Sequence, residues 1–216
     1  MSNQTLEQNV ADELLWDPKV DSEAVAVAAD DGTITLRGTV GSFRQKREAQ
    51  KAAERVFGVV NVANLLDVRL LTERRREDAE VRGDVLQALM LDTLVPETVD
   101  ANVKDGLVTL TGTASWQYER EEAAFIAGNV LGVLGVENDI YLDSPTPYAG
   151  DVRDSIKQAL ERDAKLDSDG IAVETVDGHA ILTGNVRSWA EHDAAVAAAW
   201  AAPGVTAVDD RLSIFY

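Results

Sequence analysis

Residues 31–40 read DGTITLRGTV, residues 105–114 read DGLVTLTGTA, and residues 177–186 read DGHAILTGNV. Asp31, Asp105 and Asp177 are 74 and 72 residues apart, and Gly38, Gly112 and Gly184 keep that spacing. So do Gly58-Val59, Gly132-Val133 and Gly204-Val205, each pair beginning 20 residues after the glycine before it. Upstream, Leu6/Val10/Leu14, Val81/Val85/Leu89 and Val152/Ile156/Leu160 recur at i, i+4, i+8. Agreement at so many positions identifies a triplicated unit.

Each copy predicts the same elements. The i, i+4, i+8 stripe is the inner face of a first amphipathic helix. A loop with Val20, Val95 or Leu166 leads to an alternating strand carrying Val25 and Val27, then Val99, Ala101 and Val103, then Ile171 and Val173. Asp-Gly follows, then a second strand with Ile34 and Leu36, Val108 and Leu110, or Ala180 and Leu182 facing inward. Two alternating runs joined through Asp-Gly are a hairpin signal, because a type I′ turn needs positive φ. A second helix comes next, with the small inner faces Ala49/Ala52/Val56, Ala123/Ile126/Val130 and Ala195/Ala198/Ala202. Gly58, Gly132 and Gly204 read as its C′ caps, the last beside Pro203. A third strand closes each unit with Val62/Leu66/Val68, Val136/Ile140/Leu142 or Val208/Leu212/Ile214. The fold class is α+β: three tandem αββαβ domains, residues 1–70, 77–143 and 149–216, each with two helices on one face of a three-stranded mixed sheet. The repeated decapeptide is therefore a turn, a strand and a strand-exit glycine, and its Asp is architectural rather than catalytic.

Composition bounds the function. The 216 residues include no Cys, which removes disulfides, thiolate metal sites and a Cys nucleophile together. The net charge is −18, divided as −3, −9 and −6 over residues 1–70, 71–146 and 147–216. Such a polyanion is repelled by nucleic acid and by anionic headgroups at long range. The N-terminal stretch has neither a basic nor an apolar leader region, and the Ala-rich run 194–205 is too short to span a bilayer. We expect a cytoplasmic protein, at most peripheral to a membrane.

DGxVxLxGxV, an Ala-rich helix and GVxxVxN together resemble the BON domain of bacteria. The motif is carried by residues 31–40 with 58–64, 105–114 with 132–138, and 177–186 with 204–210. The resemblance covers nearly the whole chain, leaving linkers near residues 70–77 and 143–149, and it implies a stand-alone triple-BON protein. It further implies a non-enzymatic binding or scaffold role in bacterial osmotic stress, through phospholipid or an envelope-associated protein. The alternatives are potassium binding by oxygen ligands, with no other cofactor, and self-association as a structural protein.

Enzyme motifs are absent: the sequence has no GxSxG elbow, P-loop, GxGxxG or HExxH. His179 and His192 have no metal-ligand spacing around them and no counterpart in the other repeats. Asp167-Ser168-Asp169-Gly170 resembles part of a calcium loop but lacks the bidentate Glu, and reads as turn chemistry. Arg74–Arg76 reads as a linker. The candidate lipid or partner surface is Arg44, Lys46 and Arg47 with Trp116, Tyr118 and Trp189, all near starts of second helices. Each aromatic there, like Phe43 in repeat one, either enters a lipid interface or partner, or packs against its own or a neighbouring repeat. Trp200 reads as a core or domain-contact residue. The sheet face opposite the helices is polar in repeat two, with Thr109, Thr111, Glu137 and Asp139. In repeat one it carries Ala24, Ala26, Ala28, Thr33, Thr35 and Leu65, and we expect it to pack against another repeat or chain.

Overall fold

Asp31 and Gly32 have φ of 45° and 79°, and the pairs Asp105-Gly106 and Asp177-Gly178 match them at 52° and 77°, 48° and 80°. Two successive positive-φ residues make the I′ turn, whose twist suits a hairpin. The turns join β1 (Val25–Asp30) to β2 (Thr33–Val40), β4 (Asp100–Lys104) to β5 (Leu107–Thr111), and β9 (Ile171–Val176) to β10 (His179–Val186). The computed structural model that shows this describes residues 2–69, 76–143, 152–163 and 170–215. Leu166, Asp167, Ser168, Asp169, Arg74, Arg75 and most of both linkers lie outside the described residues.

The turn glycine also starts the third strand. The carbonyls of Gly32, Gly106 and Gly178 accept the amides of Val60, Leu134 and Thr206 at 2.8, 2.9 and 2.8 Å. From there β3 (Asn61–Val68) runs parallel to β2, and β11 (Ala207–Ile214) runs parallel to β10. The middle strand of each sheet is thus antiparallel to one neighbour and parallel to the other. In repeat two the third strand is interrupted, giving β7 (Gly135–Asn138) and β8 (Tyr141–Leu142), and a short β6 (Thr113–Ala114) pairs with β8. Parallel neighbours require a crossover, supplied by α2 (Phe43–Glu54), α4 (Gln117–Ala127) and α6 (Trp189–Trp200). Ser42 and Ser188 cap α2 and α6 by accepting the amides of Gln45 and Glu191. The first helices are α1 (Asn3–Trp16), α3 (Asp78–Met90) and α5 (Val152–Arg162).

Stripe and sheet meet as expected: Leu6, Val10 and Leu14 pack with Ile34, Leu36 and Leu66, and Ile156 and Leu160 pack with Ala180 and Leu182. Two expectations need correction. The buried small face of the second helices runs Ala49/Ala52/Ala53, Ala123/Ala127 and Ala195/Ala199, while Val56, Ile126, Val130 and Ala198 are only half-buried. And α2 ends at Glu54, so Gly58 is not its C′ residue. It closes a further turn in which the Val59 amide donates to the Val56 carbonyl, as Val133 does to Val130 and Val205 to Ala202.

The chain forms two compact units, Met1–Gly112 with Glu119–Tyr141, and Thr113–Tyr118 with Leu142–Tyr216. In the first unit, the sheet face of repeat one is not covered. Ala24, Ala26, Ala28 and Leu65 are exposed, so repeat two does not cover the face on which we expected another repeat or another chain to pack. Repeats one and two meet through their second helices instead. Arg47 donates to the carbonyls of Ala124 and Phe125 and to Asn129 Oδ1, and its guanidinium lies 4.9 Å from the centre of the Phe125 ring. A cation over the last carbonyls of α4 is the favourable end of that helix dipole. A methyl group on Gly128 would stand 2.9 Å from Arg47 Nη1 and 3.0 Å from the Phe43 ring, so the helices close on a glycine.

The strand-exit glycine sets the strictest condition. Gly38 has φ of 120°, and a Cβ there would lie 1.9 Å from the carbonyl oxygen of Ala24. Gly38→Ala should cost at least ~2 kcal/mol in urea unfolding. Asp31→Asn, which tolerates the left-handed region, should cost less than about 1 kcal/mol.

Candidate functional site

With Leu6, Val10 and Leu14 on the core side of α1, the two residues that follow turn outward, 100° and 200° further round the helix. They are Leu15 and Trp16, 78% and 84% exposed. The α1 end that presents them is tied down by charged hydrogen bonds. Asp17, only 6% exposed, accepts the Lys19 amide on Oδ1 at 3.0 Å and the Arg55 guanidinium on Oδ2 at 2.8 Å. Arg55 also donates to Glu13 at 2.9 Å, and Lys19 pairs with Glu48 at 3.1 Å. The Arg55 hydrogen bond, followed by the Lys19 amide, lowers the pKa of Asp17.

Repeat two repeats the outward pair. Met90 and Leu91 follow the last stripe residue, Leu89, and are 79% and 73% exposed, with Leu94 half-exposed beyond them. Here Asp92 Oδ1 accepts the Leu94 amide at 2.8 Å, as Asp17 does for Lys19. The ionic clip is missing, however: Asn129 and Ala88 stand where repeat one has Arg55 and Glu13. Beside the end of α3 is a groove of about 780 Å³, walled by Leu86, Leu89, Met90, Val95 and Val99 together with Asp92 and Glu97. In repeat three the corresponding pair is Glu161 and Arg162. Two repeats therefore present an apolar helix end, and the third a charged one. The signal was in the sequence, as two apolar residues directly after the last stripe position in both copies.

The residues expected near the second-helix starts fall differently. Arg44 is exposed and Lys46 half-buried, with the Lys46 carbonyl accepting Asn64 Nδ2 at 2.7 Å. Arg47 is turned onto α4, and burial there lowers its pKa. Trp116 and Tyr118 are exposed and belong to the second unit. Trp189 is half-buried, packs on the core of repeat three and meets His192 edge-on at 5.0 Å; Trp200 packs on the same core. Among the described residues, no group of three or more His, Asp or Glu gathers as a metal ligand set. No described helix is long and apolar enough to cross a membrane.

Three αββαβ units with the Asp-Gly turn in one register are what the BON domain description matches, over residues 2–69, 77–143 and 149–214. The chain belongs to the BON domain family. It is similar to osmotically-inducible protein Y of Escherichia coli (strain K12), with 32% identity over 145 residues, 65% of this chain and 72% of that protein. Solved structures of CdsD, a structural protein of the type III secretion system of Chlamydia trachomatis, align over 98% of this chain and 92% of theirs at 15% identity and a TM-score of 0.27. Its C-terminal domain aligns over the full length of both chains at 14% and 0.28. Those scores are too low to bear on the arrangement of the BON repeats.

The clip on the first BON repeat has a pH signature. A depressed carboxylate contributes stability that is present above its unfolded value of 3.8 and is lost as pH falls through the folded value. Arg55→Ala should destabilise the first repeat by about 1 kcal/mol at pH 7, a figure reduced by the half-exposure of Arg55. In urea unfolding, that gap should persist to pH 4 and close below it.

Proposed function

We propose that this triple-BON protein is a non-enzymatic binding protein of the osmotic stress response, docking on phospholipid through the apolar helix ends of its first two repeats. The likeness to an osmotically-inducible protein supports the setting. The exposure of Leu15, Trp16, Met90 and Leu91 carries the binding reading. A Trp and a Met beside Leu residues suit the boundary between headgroups and acyl chains.

Magnitudes favour apolar over electrostatic docking. Fully burying one such side chain is worth about 1.5–3 kcal/mol, so four supply several kcal/mol. A basic residue near an anionic surface supplies about 1 kcal/mol, and Arg47 is already engaged within the chain. Repulsion from a charge of −18 acts over a Debye length of about 8–10 Å and weakens with salt.

Liposome flotation tests the reading. The protein should float with neutral phosphatidylcholine vesicles at both low and high salt. Replacing Leu15, Trp16, Met90 and Leu91 together by Ser should abolish flotation while the circular dichroism spectrum is retained, since all four are surface residues. No flotation of the unaltered protein with neutral or anionic vesicles would overturn the proposal and move an envelope protein partner ahead of lipid.

A further inference from the structure

The three BON repeats tie the second helix to the third strand at one equivalent place, using residues 18 apart. In repeat one, Asn64 Nδ2 donates to the Lys46 carbonyl at 2.7 Å, and its Oδ1 accepts the Leu66 amide at 3.3 Å. In repeat two, Asn138 Nδ2 donates to the Arg120 carbonyl at 2.7 Å, and its Oδ1 accepts the Ile140 amide at 3.3 Å. Both tethers are neutral amide bonds and carry no titratable group.

Repeat three has Asp210 in that position and His192 opposite it. Asp210 Oδ1 still accepts the amide two residues on, from Leu212 at 3.0 Å. A carboxylate cannot donate to the helix carbonyl, so the direction of the bond is reversed: His192 Nε2 meets Asp210 Oδ2 at 2.7 Å. The other ring nitrogen, Nδ1, meets Asp193 Oδ1 at 3.2 Å. Both nitrogens thus face carboxylate oxygens. A neutral imidazole has one N–H and can satisfy one of them, whereas the imidazolium satisfies both.

We propose that the third BON repeat is proton-responsive: the His192–Asp210 bridge joins α6 to β11 when the imidazole is charged and slackens when it loses its proton. Among the described residues, the charge at the ring comes from Asp193 on its own helix and Asp210 on β11. Their acidic neighbours are otherwise engaged, Glu191 with Arg187 and Asp209 with Arg211. The hydrogen bond to Asp193 and the charge of Asp210 outweigh partial burial and raise the pKa of His192 above 6.5. A raised histidine contributes stability that is fully present below its unfolded value and lost as pH rises through the folded one. Repeat three is therefore held most firmly on the acid side, while repeats one and two keep their tethers throughout.

The test follows the His192 ring resonances and the amide-exchange protection factors of β11 and β3 in the full chain, from pH 5.5 to 8.5. His192 should titrate above 6.5. Protection of β11 should fall as pH rises through that midpoint, by up to about tenfold for each unit the midpoint lies above 6.5. Protection of β3 should show no matching step. Asp210→Asn recreates the tether of the other repeats, and His192→Arg supplies a permanent cation; each should remove the step from β11. A His192 midpoint at or below 6.5, or a β11 step that survives either substitution, would overturn the proposal. Should Asp210→Asn fail to fold, His192→Arg and the wild-type titration decide it.

Discussion

The closest constraint in each repeat is a backbone carbonyl pressed against a glycine. The oxygens of Ala24, Thr98 and Gly170 lie 1.9, 2.3 and 2.0 Å from where a Cβ would stand on Gly38, Gly112 and Gly184. That approach lets the chain leave the middle strand beside the chain entering the first. It also sets the start of the crossover helix that the parallel third strand needs. With the Asp-Gly turn holding the other end of the middle strand, both ends of the hairpin are fixed before any core side chain is chosen. The core itself is then filled by ordinary apolar residues that vary between copies, such as Ile34, Val108 and Ala180.

Because the repeated motif is consumed by architecture, chemistry specific to this protein has to lie where the copies differ. Three such places stand out. Arg55 clips one apolar helix end that Asn129 leaves unclipped in the next repeat. The apolar pairs Leu15-Trp16 and Met90-Leu91 give way to Glu161-Arg162 in repeat three. The tether of Asn64 and Asn138 becomes a histidine–carboxylate pair. The copies are thus alike in frame and different in side chains: two carry apolar helix ends, and one carries a histidine–carboxylate pair.

The frame was legible in the sequence because its signals are local. Period-two alternation around Asp-Gly and a four-residue helical stripe need only neighbours along the chain. Errors came where a longer-range partner decides. A basic residue on a helix reads as solvated, yet Arg47 finds Asn129 82 residues away and is turned from any outside ligand. Gly58 has the positive φ of a cap, but helix α2 stops sooner and the glycine serves the turn beyond it. For Trp189 the sequence left two readings, lipid or partner contact and packing on its own or a neighbouring repeat, and the structure shows it packed on its own core. Trp16 and Met90 went unremarked because they fall off the helical stripe, which is what leaves them open to solvent.

Whether the apolar helix ends meet lipid directly is read best by quenching of tryptophan emission with phospholipid brominated along its acyl chains. Trp16 at the end of α1 is the most exposed of the four side chains proposed to meet lipid. The account predicts that brominated vesicles quench the emission of the unaltered protein and that Trp16→Phe removes most of that quenching. Equal quenching with and without Trp16 would contradict it, and would move the contact to Trp116 or Trp189 in the second unit.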